Sequence, residues 1–309
     1  MAEAGHKPVM AAEVVAALGP RAGGCYADGT LGGGGHAAAI LAASAPSGRL
    51  YGCDLDSSAL AAAGRRLAEF AGRFEIRQGN FAELAEWVPP GSCDGMVLDL
   101  GLSSLALDAP ERGFSFQEEG SLDMRLDRRQ PTTAAELVNR AEPADLARWF
   151  WELGGEREAR RFARAIAAAR QQRPLTTTRQ LAELIERLAP RRGRHSHPAT
   201  RVFLALRLAV NDEIGSLQRG LRGALGLLRP GARLAIVTFH SREDREVREF
   251  GREWTRGYTL AEGVDVPELR QPRAPALRWI TRKALRPGPA ELADNPRSRS
   301  AQLRVLEKL

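Results

Sequence analysis

Nine residues, Asp28-Gly29-Thr30-Leu31-Gly32-Gly33-Gly34-Gly35-His36, lie between an apolar run ending at Tyr26-Ala27 and a helix-like run, Ala37-Ala38-Ala39-Ile40-Leu41. A strand that leaves its sheet through glycines and enters a helix at once reads as a βα unit, because a backbone without Cβ atoms turns sharply and approaches a ligand closely. The helix start then offers free N–H groups and a positive dipole end to a negatively charged ligand group. About twenty residues on, the strand-like run Arg49-Leu50-Tyr51-Gly52-Cys53 ends in Asp54, where a βαβ nucleotide site places its ribose-reading acid. The pattern predicts an adenosine-containing cofactor.

The glycines alone do not choose the cofactor. Gly32, Gly34 and Ala37 satisfy the loose pattern G-x-G-x-x-G/A, which keeps a nicotinamide dinucleotide open. Asp28 shifts the balance toward S-adenosyl-L-methionine, since an acid beside the loop repels a pyrophosphate and attracts an ammonium or a sulfonium. Two further strand ends carry site-like residues: Gly79-Asn80-Phe81 follows Phe74-Glu75-Ile76-Arg77, and Asp99-Leu100-Gly101 follows Gly95-Met96-Val97-Leu98. Four strand ends presenting polar or aromatic groups to one edge make the ligand crevice of an open α/β sheet. The plain structural reading, glycine turns and capping acids in an ordinary α/β domain, uses the same residues.

At 309 residues, the chain has the length of roughly two domains of about 150 residues. It has no apolar run near the roughly twenty residues that span a bilayer, and residues 1–13 lack a basic segment followed by an apolar one, so a cytoplasmic location without membrane association is expected. Cys25, Cys53 and Cys93 lie in or beside strand-like runs without C-x-x-C spacing and read as small buried residues. His195 and His197 form an H-x-H with no further ligands, so no metal site is expected. The net charge of +7 is concentrated: residues 125–212 hold eighteen Arg and no Lys against ten acids. Arginine favours planar, bidentate phosphate contacts, and a basic patch on one module is a footprint of nucleic-acid binding. A solvated helical surface in an arginine-rich chain gives the same count.

That segment also changes periodicity. After Asp99 comes a loop-like stretch, 103–127, with Pro110, Gly113, Phe114, Phe116 and Gly120. Helical spacing follows over 134–138, 144–153, 156–171 and 178–188, and a longer pattern runs from Pro198 to Leu225, stopped by Arg229-Pro230-Gly231. Strand signals return at 234–239, 277–281 and 301–306. The expected fold is α/β, a seven-stranded Rossmann-like methyltransferase sheet with an inserted all-helical domain. Residues 1–109 and 213–309 would form a discontinuous S-adenosylmethionine-binding domain, and 110–212 a loop plus helical, Arg-rich insertion for RNA recognition.

Five groups of residues carry a closer likeness. They are His6-x-Pro8-Val9-Met10-x-x-Glu13-Val14; Asp28-Gly29-Thr30 with Gly34-Gly35-His36; Asp99-Leu100-Gly101-Leu102-Ser103-Ser104; Glu111-Arg112-Gly113-Phe114-Ser115-Phe116 leading to Leu122-Asp123-Met124-Arg125-Leu126-Asp127; and a late set comprising His197-Pro198-Ala199-Thr200-Arg201, Asn211, Phe239-His240-Ser241 and Asn295-Pro296-Arg297-Ser298. In this order and over nearly the whole chain, they resemble the RsmH (MraW) family of S-adenosyl-L-methionine-dependent methyltransferases, which act on a cytidine N4 in the decoding region of bacterial small-subunit (16S) ribosomal RNA. The resemblance implies that Gly34, Gly35 and His36 line the cofactor, Asp54 takes its ribose hydroxyls, Phe81 packs near the adenine and Asp99 lies beside the methionyl end. It also implies the small ribosomal subunit as partner. Two positions depart from the family: Ala106 replaces a Gln that is among its cofactor contacts, and Arg242 stands where an apolar residue is usual.

Residue types bear on the chemistry as well. Methyl transfer to an exocyclic amine requires alignment and a proton acceptor, not a covalent intermediate. Methylation at C5 of the ring would need a cysteine nucleophile, and there is no Pro-Cys dipeptide. Asp99 is the candidate catalytic residue, with cofactor binding as its other role. For RNA, Arg112, Phe114, Phe116, His197, Arg201 and His240 are the candidate contacts, against a plain reading in which they anchor loops and cap helices. Two other functions use the same features: a nicotinamide-dependent oxidoreductase, from the loose glycine match, and a non-catalytic RNA-binding ribosome assembly factor, from Ala106.

Overall fold

The computed structural model describes residues 7–189, 197–260 and 265–309. It divides into two compact units, one made by the chain up to Gly101 together with Ile214–Leu309, the other by Leu102–Glu213. Along the chain, α1 (Ala11–Leu18), β1 (Cys25–Asp28), α2 (Gly35–Ala43), β2 (Arg49–Asp54), α3 (Ser57–Arg66), β3 (Phe74–Gln78) and β4 (Cys93–Asp99) come first. The second unit follows with α4 (Ser104–Leu107), α5 (Ala134–Arg140), α6 (Pro143–Glu152), α7 (Ala159–Gln172), α8 (Thr178–Leu188) and α9 (Thr200–Val210). The chain then returns through α10 (Glu213–Leu227), β5 (Leu228–Thr238), α11 (Ser241–Thr255), β6 (Tyr258–Leu260), β7 (Arg270–Pro272), β8 (Leu277–Trp279), α12 (Pro289–Asp294) and β9 (Gln302–Lys308).

The seven strands expected from the sequence form one sheet, in the order β3-β2-β1-β4-β5-β9-β8. The pairs from β3 through β5 are parallel, and β9 runs antiparallel to both β5 and β8. Parallel strands covered on both faces read as continuous apolar runs, which is why Met96-Val97-Leu98 of β4 is buried throughout. Successive residues feed opposite layers: Met96 and Leu98 join Leu217, Leu221 and Val247, while Val97 joins Val14, Ile40 and Leu41. Asp28, Asp54 and Asp99 therefore close three parallel strands at the same edge. The strand order reverses between β1 and β4, so Asp28 and Asp99 flank the switch point where open α/β sheets take ligands.

Close packing explains Asp28-Gly29-Thr30. Gly29 donates its N–H to the Val97 carbonyl at 3.0 Å. A Cβ on it would lie 2.5 Å from Leu98 Cδ2 and 2.8 Å from Phe81 Cβ. Gly29→Ala is expected to cost about 2 kcal/mol through forced displacement of well-packed neighbours. Urea unfolding followed at the sheet unit checks this, and an unchanged midpoint would refute it.

The helical unit has its own core, with Phe150, Phe162, Leu181 and Leu206 at its centre. Thr133 with Glu136 and Thr177 with Gln180 form capping boxes at the starts of α5 and α8. Two expectations are corrected here. The single apolar pattern from 198 to 225 is two helices, because Asp212 takes a left-handed φ of 44°. Asn211 spends its side chain on the neighbouring loop, accepting from Leu126 N–H and donating to Met124 O, both at 2.8 Å. The expected boundary at 109/110 lies at 101/102, since α4 packs on the turn at Pro110–Arg112 and Ala106 is buried.

The two-stranded ribbon β6-β7 is an addition that the sequence did not signal. No described helix is long and apolar enough to cross a membrane. Among the described residues, no His, Cys, Asp and Glu side chains cluster as a metal site would require.

Candidate cofactor and catalytic site

The glycine loop is held in place from both sides. Gly34 takes a φ of 78°, and a Cβ there would also meet Ala63 of α3 at 3.1 to 3.2 Å, so only glycine fits. Gly35, the first residue of α2, lies against the Pro8 ring, whose carbons would stand 3.0 Å from an added Cβ. That contact gives the N-terminal Pro8-Val9-Met10 run a physical reason: Pro8 backs the loop. Met10, buried with a left-handed φ of 52°, donates its N–H to Glu291 Oε1 of α12 at 2.6 Å.

Three carboxylates and one imidazole converge around this loop. Asp54 accepts the Gly32 N–H at 2.7 Å on Oδ2 and the Asp56 N–H at 2.9 Å on Oδ1, which leaves lone pairs on both oxygens for hydroxyl donors. Burial pushes its carboxyl above the ordinary range against those two bonds. Thr30 ties two strand ends together: its N–H donates to Asp28 Oδ1 at 3.1 Å and its Oγ1 accepts the Asp99 N–H at 2.6 Å. His36 Nε2 lies 3.2 Å from Asp99 Oδ2.

Asp28 is fully buried, and burial pushes its carboxyl up to about 7, with the His36 charge and the Thr30 N–H offsetting part of the rise and Asp99 and Asp54 adding to it. For His36, burial opposes the charged form. The Asp99 hydrogen bond and the charges of Asp99, Asp28 and Glu291 outweigh it, so the imidazole is held above its ordinary range.

Three atoms of the cluster, Asp28 Oδ2, His36 Nδ1 and Asp99 Oδ1, are buried without a hydrogen-bond partner among the described residues. Buried polar atoms left unpaired are costly, and a bound water, ion or ligand group would relieve them. An acid-rich cluster of this kind fits a cationic, hydroxyl-bearing group and disfavours a pyrophosphate. The residues thus suit S-adenosyl-L-methionine: Gly34, Gly35 and His36 at the helix start, Asp54 toward hydroxyls, and Asp28 with Asp99 toward positive charge. Phe81 is half-buried, its ring packed over Gly220 of α10. Sequence patterns place Thr30 in a motif without assigning its hydroxyl a partner, and do not mark Glu291 at all. Thr30 follows the glycine turn and was legible as a strand-end hydroxyl, whereas Glu291 meets Met10 across 281 residues with no local signal.

The candidate RNA residues fall into two groups. In the helical unit, Arg112 is buried, donates to the Arg125 and Leu126 carbonyls at 3.0 and 3.3 Å, and holds its guanidinium 5.6 Å from the Phe114 ring centre. Phe116 packs at 4.7 Å against both Phe203 and His197. His197 Nδ1 accepts the Ala199 N–H at 3.1 Å, and exposed Arg201 donates to the Gly155 carbonyl at 3.1 Å. In the sheet unit, His240 caps α11, its Nδ1 accepting the Glu243 N–H at 3.3 Å. Each has a structural task, and Arg201 alone of the six is exposed. His6 and His195 lie outside the described residues. The departure at Arg242 has a local cause: it pairs with Glu246, one turn on, at 3.0 Å.

Comparison with known proteins places the whole chain. It is 49% identical over 309 residues to ribosomal RNA small subunit methyltransferase H of Symbiobacterium thermophilum, covering 98% of this chain and 96% of that protein. The same enzyme of Syntrophotalea carbinolica is 48% identical over 312 residues (98% of each chain), and that of Geobacter sulfurreducens 49% over 310 residues (98% and 99%). The model of the MraW methylase family matches residues 3–309. With a family model matched over nearly the whole chain and relatives almost half identical along their length, the chain belongs to the MraW methylase family.

Proposed function

We propose that the chain transfers a methyl group from S-adenosyl-L-methionine to the N4 amine of a cytidine in the decoding region of small-subunit (16S) ribosomal RNA, acting on the small ribosomal subunit in the cytoplasm. The observation that carries this is Asp99: one carboxylate oxygen is engaged by His36 while the other is buried at the switch point with no partner. The cofactor supplies a methyl group on a positively charged sulfur, which an amine attacks directly.

The protein's part is to bind, align and take a proton. Asp54 and the glycine loop hold the adenosine end, and Asp28 answers the cationic methionyl end. Asp99 Oδ1 would accept a hydrogen bond from the amine, orient it, and receive its proton as the methyl group passes to nitrogen, the electron pair of the broken S–C bond staying on sulfur as a neutral thioether. His36 fixes the carboxylate through Oδ2. The Arg-rich helical unit, with its surplus of positive charge, supports the assignment of RNA as the substrate.

Tritiated methyl donor, incubated with small subunits that lack their native modifications, is expected to label RNA at a cytidine N4. Label on another atom or none at all would remove this assignment. Calorimetry with S-adenosylhomocysteine and with NAD separates the hydride-transfer alternative, in which NAD alone would bind.

A further inference from the structure

The helical unit carries a concave surface that the methyl-transfer chemistry does not use. Helices α6 and α7 wall an open groove of about 1150 Å³. Each helix commits one face to the core, Leu146 and Phe150 from α6 and Phe162 and Ile166 from α7. The opposite faces line the groove, with Arg148 and Trp151 from α6, Arg160, Arg161 and Arg164 from α7, and Arg157 from the connection. Trp151 is 61% exposed, more than any other large apolar side chain among the described residues, while Trp149 of the same helix packs against the core.

A lone exposed aromatic needs no explanation. An indole among five arginines is different. Arg148 and Arg161 are held by Asp145 and Glu158, each at 2.7 Å. Arg157, Arg160 and Arg164 have no carboxylate partner among the described residues, and only Glu152 and Glu158 oppose the five positive charges of the lining. Arg160 and Arg164, four residues apart on one helix face, stand about 6 Å apart along the axis. That is the scale of one nucleotide step in an extended strand. Guanidinium groups bind phosphate bidentately, and an indole face accepts any base.

We propose that this groove binds a single-stranded segment of RNA, with one unpaired base stacked on Trp151 and consecutive phosphates against Arg157, Arg160 and Arg164. The inference rests on RNA being the substrate and adds a second contact, outside the methyl-transfer site. It is tested with the full chain, using labelled oligouridylate, protein-free 16S RNA and undermethylated small subunits as probes. Trp151→Ala is expected to weaken oligouridylate binding about 10-fold, and Trp151→Phe to restore most of it, because stacking needs only a ring face. Replacing Arg157, Arg160 and Arg164 together with Gln should lower the slope of log affinity on log salt by about 2.

Both sets of variants should raise KM for subunits while leaving kcat and S-adenosylhomocysteine affinity unchanged, which also shows that they fold. Unchanged oligouridylate affinity and salt slope would overturn the groove. So would weakened binding to whole subunits with unchanged binding to both protein-free RNAs, since the partner would then be a protein. Trp151-dependent RNA binding by a chain that labels no RNA would uphold the groove and remove the methyl-transfer assignment, so the two fail separately.

Discussion

Asp99→Asn is expected to lower kcat for methylation of undermethylated small subunits about 1000-fold, within the range for loss of a positioned proton acceptor. The substitution keeps an oxygen to meet His36 Nε2, which lies 3.2 Å from Oδ2, and keeps the backbone N–H that donates to Thr30 Oγ1. What it removes is a negative, unpartnered oxygen at Oδ1. A carboxylate there attracts the amine proton and receives it, and an amide does neither. Single-turnover rates measured beside calorimetry with S-adenosylhomocysteine separate two roles. A rate loss with less than about a 10-fold loss of affinity, or ~1.4 kcal/mol, fits proton acceptance. Equal losses in both would make Asp99 a cofactor-binding residue alone and sink its catalytic role.

The sheet unit is expected to lose stability as pH rises from about 4 to 7, the reverse of the usual behaviour of buried carboxylates in ion pairs. Asp28 has its carboxyl raised by burial from 3.8 to about 7. A raised folded value means that the native state binds a proton more tightly than the unfolded state. Its contribution is fully present below pH 3.8 and is lost as pH climbs toward 7, up to about 4 kcal/mol at ~1.4 kcal/mol per pH unit. His36 acts in the same direction at higher pH, its contribution fading as pH rises through its raised value.

In the helical unit the sign is opposite. Burial raises Asp123, but Arg125 overcomes this and holds it low, and Arg129 holds Asp127 low, so stability there is lost as acid protonates them. The Asp127–Arg129 pair is open to solvent on its arginine side, so its effect is screened and smaller. Hydrogen exchange at the β1 and β4 amides across pH 4.5 to 7.5 measures the first effect without assuming that both units unfold together. Asp28→Asn should flatten the profile, and a wild-type profile already flat would show that Asp28 titrates as an ordinary acid. Because a cationic ligand favours ionised Asp28, affinity for S-adenosyl-L-methionine should rise over the same interval.

Much of the sheet was legible because its signals are local. Apolar runs bounded by glycine and acid mark β1 to β4, and the strand-end acids mark the crevice without reference to any tertiary contact. The helical break at Asn211 and Asp212 was not legible. Apolar residues keep helical spacing across it, and the residue that ends α9 does so by bonding a loop about 85 residues away. The ribbon β6-β7 escaped because each strand has three residues and one ends in proline. Arg112 illustrates a limit of composition: it reads as surface charge, yet its guanidinium is inside, closing the carbonyls of a loop. At the site, residue identities were readable but their linkage was not. Thr30 and Glu291 reach their partners only after distant strands and helices meet.

The position of β9 has a consequence for synthesis on the ribosome. β4 emerges early, but its neighbour β5 lies beyond the whole helical unit, and among the described residues β8 pairs only with β9, which comes later still in the chain. The helical unit is contiguous and can bury its core while β4 still has a free edge. The β4 edge cannot pair until β5 has been made, so the nascent chain carries an unfinished, pairing-competent strand while the helical unit is synthesised. Selection against aggregation therefore falls hardest on β4, whose buried run must wait longest for its cover.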